Sequence, residues 1–368
     1  MKRHFHLFLL ISLLLALSLT PPLAAQDETP FPLAAHGTYV AGIRTLRFSD
    51  DARAGREITV SLWYPAIMPA DKLDRVPLLQ NANMAFPDLL PDMSGAPYSV
   101  ILYSHGYEGG RDEFSVVIEP LVTHGFVVAT VQHVNDTSAL TLIDRPLDIL
   151  YVIDQLEAVN VNGELAGLMT LNSVGLFGVS DGGYTALAMT GARIDEAFMG
   201  QWGSGDHDRL DPTDPRNWYA DWDWNALKAY YDQFMPPSED GLLQPMSDPR
   251  IGAIVSYLPC YAYIFGERGL AAATVPTLLI AASEDEYCPY ATDAVFAYEH
   301  LGSPEHFMLT LVNGLHDFSH DEHEPAVIHF INAFFGDYLQ GNTAYAEYLT
   351  EDFVAQFDQL AWGTYASE

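Results

Sequence analysis

The pentapeptide Gly178-Val179-Ser180-Asp181-Gly182 sets a serine between flanking glycines. Before it runs Ser173-Val174-Gly175-Leu176-Phe177, an apolar stretch with the character of a buried strand. After it runs Gly183-Tyr184-Thr185-Ala186-Leu187-Ala188-Met189, small and apolar like the start of a packed helix. Strand, tight turn and helix together lift a serine hydroxyl into the open at the carboxyl edge of a sheet. The glycines are expected because larger side chains would strike the strand and the helix across so sharp a turn. The chemistry on offer is nucleophilic attack on an acyl carbon. An ordinary glycine-rich turn is the plainer alternative.

A serine hydroxyl is a poor nucleophile near neutral pH and needs a histidine to take its proton and a carboxylate to hold that histidine. Downstream the chain supplies Asp285, in Ala281-Ala282-Ser283-Glu284-Asp285-Glu286-Tyr287-Cys288-Pro289, and then His316, in Asn313-Gly314-Leu315-His316-Asp317-Phe318. Each follows an apolar run, so each is expected on a loop at a strand end, in the order Ser, Asp, His. Glu284 and Glu286 rival Asp285, which we prefer for its place in the turn and the spacing to Pro289. His320 and His323 rival His316, but they are expected in an acidic loop facing water. The cluster His316, His320 and His323 could also hold a metal, but it lacks the H-E-x-x-H pattern, so no metal and no cofactor is expected.

Acyl transfer also needs donors for the oxyanion. One is expected from the backbone N–H of Asp181, the residue after the serine. The other is expected from Ser104-His105-Gly106-Tyr107-Glu108-Gly109-Gly110, where glycines let the backbone approach a substrate. Tyr107 is the residue we nominate. His105 is read as pinning this loop rather than as a catalyst. The role of the Asp181 side chain stays open between electrostatic tuning and mere tolerance.

The elements that must position these residues alternate. Strands are expected at Tyr39 to Phe48, Ile58 to Tyr64, Tyr98 to Tyr103, Phe126 to Val131, Val174 to Val179, Ile251 to Leu258, Thr277 to Ala282 and Phe307 to Val312. Helical patterns lie between or after them, at Asp112 to Thr123, Arg145 to Val159, Gly183 to Thr190, Tyr290 to Leu301 and Glu324 to Leu339. Such alternation predicts an α/β fold with a mostly parallel, eight-stranded sheet flanked by helices. The segment 198–249 breaks the pattern, with Trp202, Trp218, Tyr219, Trp222, Trp224, Tyr230, Tyr231 and Phe234 among many aspartates. It reads either as an aromatic-rich cap over an apolar pocket or as an insertion whose aromatics merely pack on the domain. Asp206, Asp208, Asp211 and Asp214 do not have the spacing of a calcium loop.

The amino terminus opens Met1-Lys2-Arg3, continues with an apolar run from Phe5 to Leu19, and reaches Leu23-Ala24-Ala25. This is the pattern of a cleavable signal peptide over residues 1–25, and an exported, secreted or periplasmic domain over 26–368. An uncleaved anchor is the alternative, for which the run is short. The formal charge of −33 leaves a surface that repels nucleic acid and anionic membranes, so neither is an expected partner. Beyond the leader, Lys72 and Lys228 are the lysines that remain. The two cysteines, Cys260 and Cys288, follow neighbouring strands and are expected at the same sheet edge. In an exported chain they point to a disulfide, against the alternative of two separate buried thiols.

With these pieces assembled, the chain resembles the α/β-hydrolases often labelled predicted dienelactone hydrolases, related to platelet-activating-factor acetylhydrolases and bacterial polyesterases. The likeness runs from about Thr38 to about Leu349 and rests on several motifs together. They are Val60-Ser61-Leu62-Trp63-Tyr64-Pro65-Ala66, Ser104-His105-Gly106, Arg145-Pro146-Leu147-Asp148-Ile149, Gly178 to Ala186, Asp248-Pro249-Arg250-Ile251 and Val275-Pro276-Thr277-Leu278. The resemblance implies Ser180 as nucleophile, Asp285 as acid and His316 as base. It departs at Asp181, where such proteins often carry an apolar residue, and a serine in place of a cysteine nucleophile argues against a dienelactone substrate. The expectation is a serine hydrolase of carboxylic esters acting through an acyl-enzyme on a small, lipid or polymeric ester. Its rivals are a catalytically silent binding protein on the same fold and a metal-dependent hydrolase.

Overall fold

The computed structural model describes residues 30–80, 82, 84–134, 140–197, 199, 223–317 and 322–366. The expected signal peptide, the four spaced aspartates, His320 and the aromatics Trp202, Trp218, Tyr219 and Trp222 lie outside the described residues.

Val40–Asp50 (β1) and Arg56–Ala66 (β2) pair antiparallel along their whole length. Phe86–Pro87 (β3) and Tyr98–Ser104 (β4) follow, then the helix Ser115–Thr123 (α1) and the strand Phe126–Gln132 (β5). The long helix Thr141–Val161 (α2) leads to Met169–Val179 (β6), the helix Asp181–Ala188 (α3) and the helix Trp224–Tyr231 (α4). Ile251–Tyr257 (β7), Thr277–Ala282 (β8), His306–Leu311 (β9), the helix Glu324–Tyr338 (α5) and Leu360–Trp362 (β10) complete these elements.

The strands form one sheet in the order β10-β9-β8-β7-β6-β4-β5-β2-β1-β3. Strands β5, β4, β6, β7, β8 and β9 run parallel to their neighbours in that central stretch, and β2 and β10 join it antiparallel. The eight expected strands are all present, but among the described residues the sheet has ten, so the expected strand count is corrected. The missed pair, β3 and β10, span two and three residues. Pieces that short carry no alternation to read, and a proline in one of them argues against a strand at the sequence level.

The apolar runs of the central strands are explained by burial on both faces. In β4, Ile101 and Tyr103 join the layer built with α1 and α5, while Val100 and Leu102 face the layer that holds α2. Helix α2 begins a turn before the Arg145-Pro146 at which it was expected to start. Pro146 has no N–H for the carbonyl four residues back. That carbonyl, on Leu142, instead accepts the Tyr184 hydroxyl of α3 at 3.0 Å, which ties the first turn of α2 to the helix after the serine. Of the aromatic-rich insertion, Trp224, Leu227 and Tyr231 of α4 pack into the core with Ile143, Leu187 and Phe265. These described aromatics therefore pack on the domain.

Candidate active site

The site gathers at the carboxyl ends of β4, β6, β8 and β9, beside the place where successive strands depart to opposite sides of β4. Ser180 leaves β6 with φ 57°, a region strained for any residue with a side chain. The neighbouring glycines make that turn possible. A Cβ on Gly178 would overlap the Gly182 carbonyl, and one on Gly182 would overlap the Ser104 carbonyl of the adjacent strand. The Ser180 N–H donates to the Tyr257 carbonyl at 2.9 Å, which locks the turn onto β7.

The three residues read from the sequence as a hydrolytic set come together. The Ser180 hydroxyl lies 3.0 Å from His316 Nε2, and His316 Nδ1 lies 2.8 Å from Asp285 Oδ2. A ring N–H given to the Asp285 carboxylate leaves Nε2 to accept the serine proton. The other Asp285 oxygen accepts the backbone N–H groups of Tyr287 at 2.9 Å and Cys288 at 2.8 Å, so both oxygens are committed. The rival residues make other bonds. The Glu286 carboxylate accepts the backbone N–H of His316 at 3.0 Å, and the backbone N–H of Glu284 donates to the Gly314 carbonyl at 3.0 Å. His323 does not face water as expected but is buried, because it stands at the start of α5, whose inner face packs on the sheet.

Cys260 and Cys288 are joined in a disulfide. The adjacency of parallel β7 and β8 expected from the sequence brings them there. The bridge lies inside the site: Cys260 Sγ is 3.4 Å from Ser180 Oγ, and Cys288 is one of the residues whose N–H holds Asp285. The sulfurs of the bridge and a ring nitrogen of His316 lie within 4.8 Å of one another, and in the described residues each is already engaged in the bridge or in the serine–aspartate relay.

Gly106 reaches the serine, since a Cβ on it would sit 3.5 Å from the Ser180 Cβ, and Tyr107 follows at the partly exposed mouth. Asp181 begins α3 and is buried. Burial raises its carboxyl above the ordinary range, and the Arg145 guanidinium at 3.7 Å opposes that rise.

Beneath the β4 loop lies a buried polar network that the sequence reading passed over. His133 stands 2.9 Å from the Ser104 hydroxyl and 3.0 Å from Asp148. This is a second serine–histidine–aspartate chain, but it has no route to a substrate, since Ser104 and Asp148 are fully enclosed and His133 is 1 % exposed. Asp148 also receives Arg53 at 2.7 Å and Arg56 at 2.8 Å. Burial pushes the Asp148 carboxyl up, but the hydrogen bonds from His133 and Arg56 outweigh it and hold the group well below the usual carboxylate range. His133 is lowered to about 4, chiefly by burial, and His105 is lowered further for the same reason. The available signal was the run of charged residues Asp144, Arg145 and Asp148 on an otherwise apolar helix face.

Residues 75–147 match the family model described as Platelet-activating factor acetylhydrolase, isoform II. Over that stretch the chain is similar to the platelet-activating-factor acetylhydrolases, and its mostly parallel sheet flanked by helices is an α/β fold. The match spans β4, its loop, α1, β5 and the first turn of α2. No curated protein matches the chain at a significant level.

Proposed function

We propose that the protein is an exported serine esterase that cleaves carboxylic esters through an acyl-enzyme. The observation that carries this reading is the continuous relay from Ser180 through His316 to Asp285, with bonds of 3.0 and 2.8 Å and a nucleophile held at positive φ. Ser180 Oγ attacks the ester carbon while His316 Nε2 takes its proton. Asp285 keeps the imidazole oriented and stabilises the imidazolium. The N–H groups of Asp181 and Tyr107 receive the oxyanion of the tetrahedral intermediate. His316 then gives the proton to the departing alcohol, and the acyl group stays on Ser180. A water, deprotonated by the same histidine, releases the acid. These steps use the chain's own residues and a small-molecule, lipid or polymeric ester. The acidic surface disfavours nucleic acid and anionic membranes as partners. Export rests on the leader pattern of residues 1–25 and fits the disulfide.

The test is fluorophosphonate labelling of the mature protein beside Ser180→Ala, with a panel of p-nitrophenyl esters of rising chain length. Labelling and hydrolysis should both vanish in the variant, and the panel reads the acyl pocket. Unchanged hydrolysis in Ser180→Ala would overturn the reading.

A further inference from the structure

The oxyanion donor assigned to the loop after β4 is only useful if its peptide plane faces Ser180. The chain controls that plane from behind. The Gly106 carbonyl accepts Arg145 Nη2 at 3.1 Å, His105 Nδ1 at 2.8 Å and the Gly109 N–H at 3.3 Å. His105 is locked as the donor at Nδ1, because its Nε2 accepts the backbone N–H of His133 at 3.1 Å. The other Arg145 amino group holds the His105 carbonyl, and Arg145 Nε donates to the Thr141 hydroxyl at 2.9 Å. Arg145 is 3 % exposed, and its guanidinium lies 3.7 Å from the carboxylate of Asp181, the residue assigned the other oxyanion donor.

Gly106 C=O and Tyr107 N–H belong to one peptide unit, which is trans. In a trans peptide the two groups point to opposite sides. Fixing the carbonyl toward Arg145 therefore turns the Tyr107 N–H away from Arg145. A carbonyl bonded to a cation also polarises its peptide, which makes the N–H a better donor. We propose that Arg145 is a positioning residue of the oxyanion hole, one that presents the Tyr107 N–H to the acyl oxygen by holding the Gly106 carbonyl on the opposite side of the same peptide. The proposal rests on the serine-esterase reading and gives the Arg145-Pro146-Leu147-Asp148 motif a task. A lysine cannot replace the fork, because one ammonium does not span both carbonyls in a fixed plane.

The experiment compares wild type with Arg145→Lys and Thr141→Val, each normalised to active sites by end-point phosphonate titration. The readouts are kcat and KM on a p-nitrophenyl ester and the inhibition constant of a trifluoromethyl ketone, whose adduct on Ser180 carries the oxyanion. Arg145→Lys should lower kcat about 30- to 300-fold with KM within about threefold, and weaken the ketone by a matching factor. Thr141→Val frees the Arg145 Nε and should show the same pattern at about tenfold; it carries the test alone if Arg145→Lys does not fold. A purely structural role would change the titrated fraction or the melting temperature but leave kcat per site. Unchanged kcat per site, or a loss confined to KM, overturns the proposal. Wild type that neither labels at Ser180 nor cleaves esters is a failure of the esterase reading itself, and the proposal falls with it.

Discussion

Cys260 Sγ lies 3.4 Å from the Ser180 hydroxyl while its disulfide partner, Cys288, gives its backbone N–H to Asp285. The bridge thus joins the loop beside the proposed nucleophile to the turn that holds the proposed acid. It closes a loop with a sequence separation of 28 residues. Reduction, or Cys260→Ala with Cys288→Ala, should lower unfolding free energy by about 3 kcal/mol and slow phosphonate labelling as Asp285 loosens. Urea unfolding with and without a phosphine reductant checks the first part. A variant with unchanged stability and labelling rate would show that the bridge does neither.

The division of labour between neighbouring carboxylates is directly testable. Asp285 bonds the His316 ring, and Glu286 accepts the His316 backbone N–H. Asp285→Asn should cost on the order of 10⁴ in kcat, because the amide favours the wrong ring tautomer. Glu286→Gln keeps an acceptor and should stay within about tenfold. Equal losses in steady-state assays would mean the acid is misassigned.

Gly182 has no room for a methyl group, because its Cβ would overlap the Ser104 carbonyl. Backbone cannot move aside as a flexible side chain can. Gly182→Ala should therefore destabilise by about 3 kcal/mol or more, or fail to fold, despite the better helix propensity of alanine. Thermal melts of the purified variant decide this; wild-type stability would contradict the geometry.

Acid stability should be limited by buried neutral histidines. His133 is lowered to about 4 and His329 to about 3, each first by burial. The unfolded chain binds those protons near pH 6.5 and the folded chain does not. The stability they contribute is present above about pH 6.5 and is lost as pH falls toward the folded values, on the order of 1 kcal/mol per pH unit for each. The raised carboxyls of Glu119 and Asp181 act in the opposite sense. His329 lies away from the site, with Nδ1 accepting the Leu33 N–H at 3.1 Å. His329→Gln can keep that acceptor and should flatten the slope of unfolding free energy between about pH 6.5 and 4 by about one proton, with esterase activity retained. An unchanged slope would remove His329 from the account.

The parts legible in the sequence are those encoded between neighbours in the chain. The glycines around Ser180 announce a turn because backbone sterics are local, and the strands announce themselves because burial on both faces demands unbroken apolar runs. The order of Ser180, Asp285 and His316 along the chain, and the pairing of Cys260 with Cys288, follow once strands are ranked in a parallel sheet. Other features belong to the tertiary structure alone. Which of Asp285 and Glu286 meets the imidazole depends on a rotation within one turn. The burial of His323 and the short strands Phe86–Pro87 and Leu360–Trp362 depend on what packs against them. Most of all, Ser104, His133, Asp148, Arg53 and Arg145 carry no local pattern that says they meet. A buried charge is tolerable only beside its partners, and those partners are supplied by the β1–β2 turn, β4, the end of β5 and α2 meeting beneath the loop that faces Ser180.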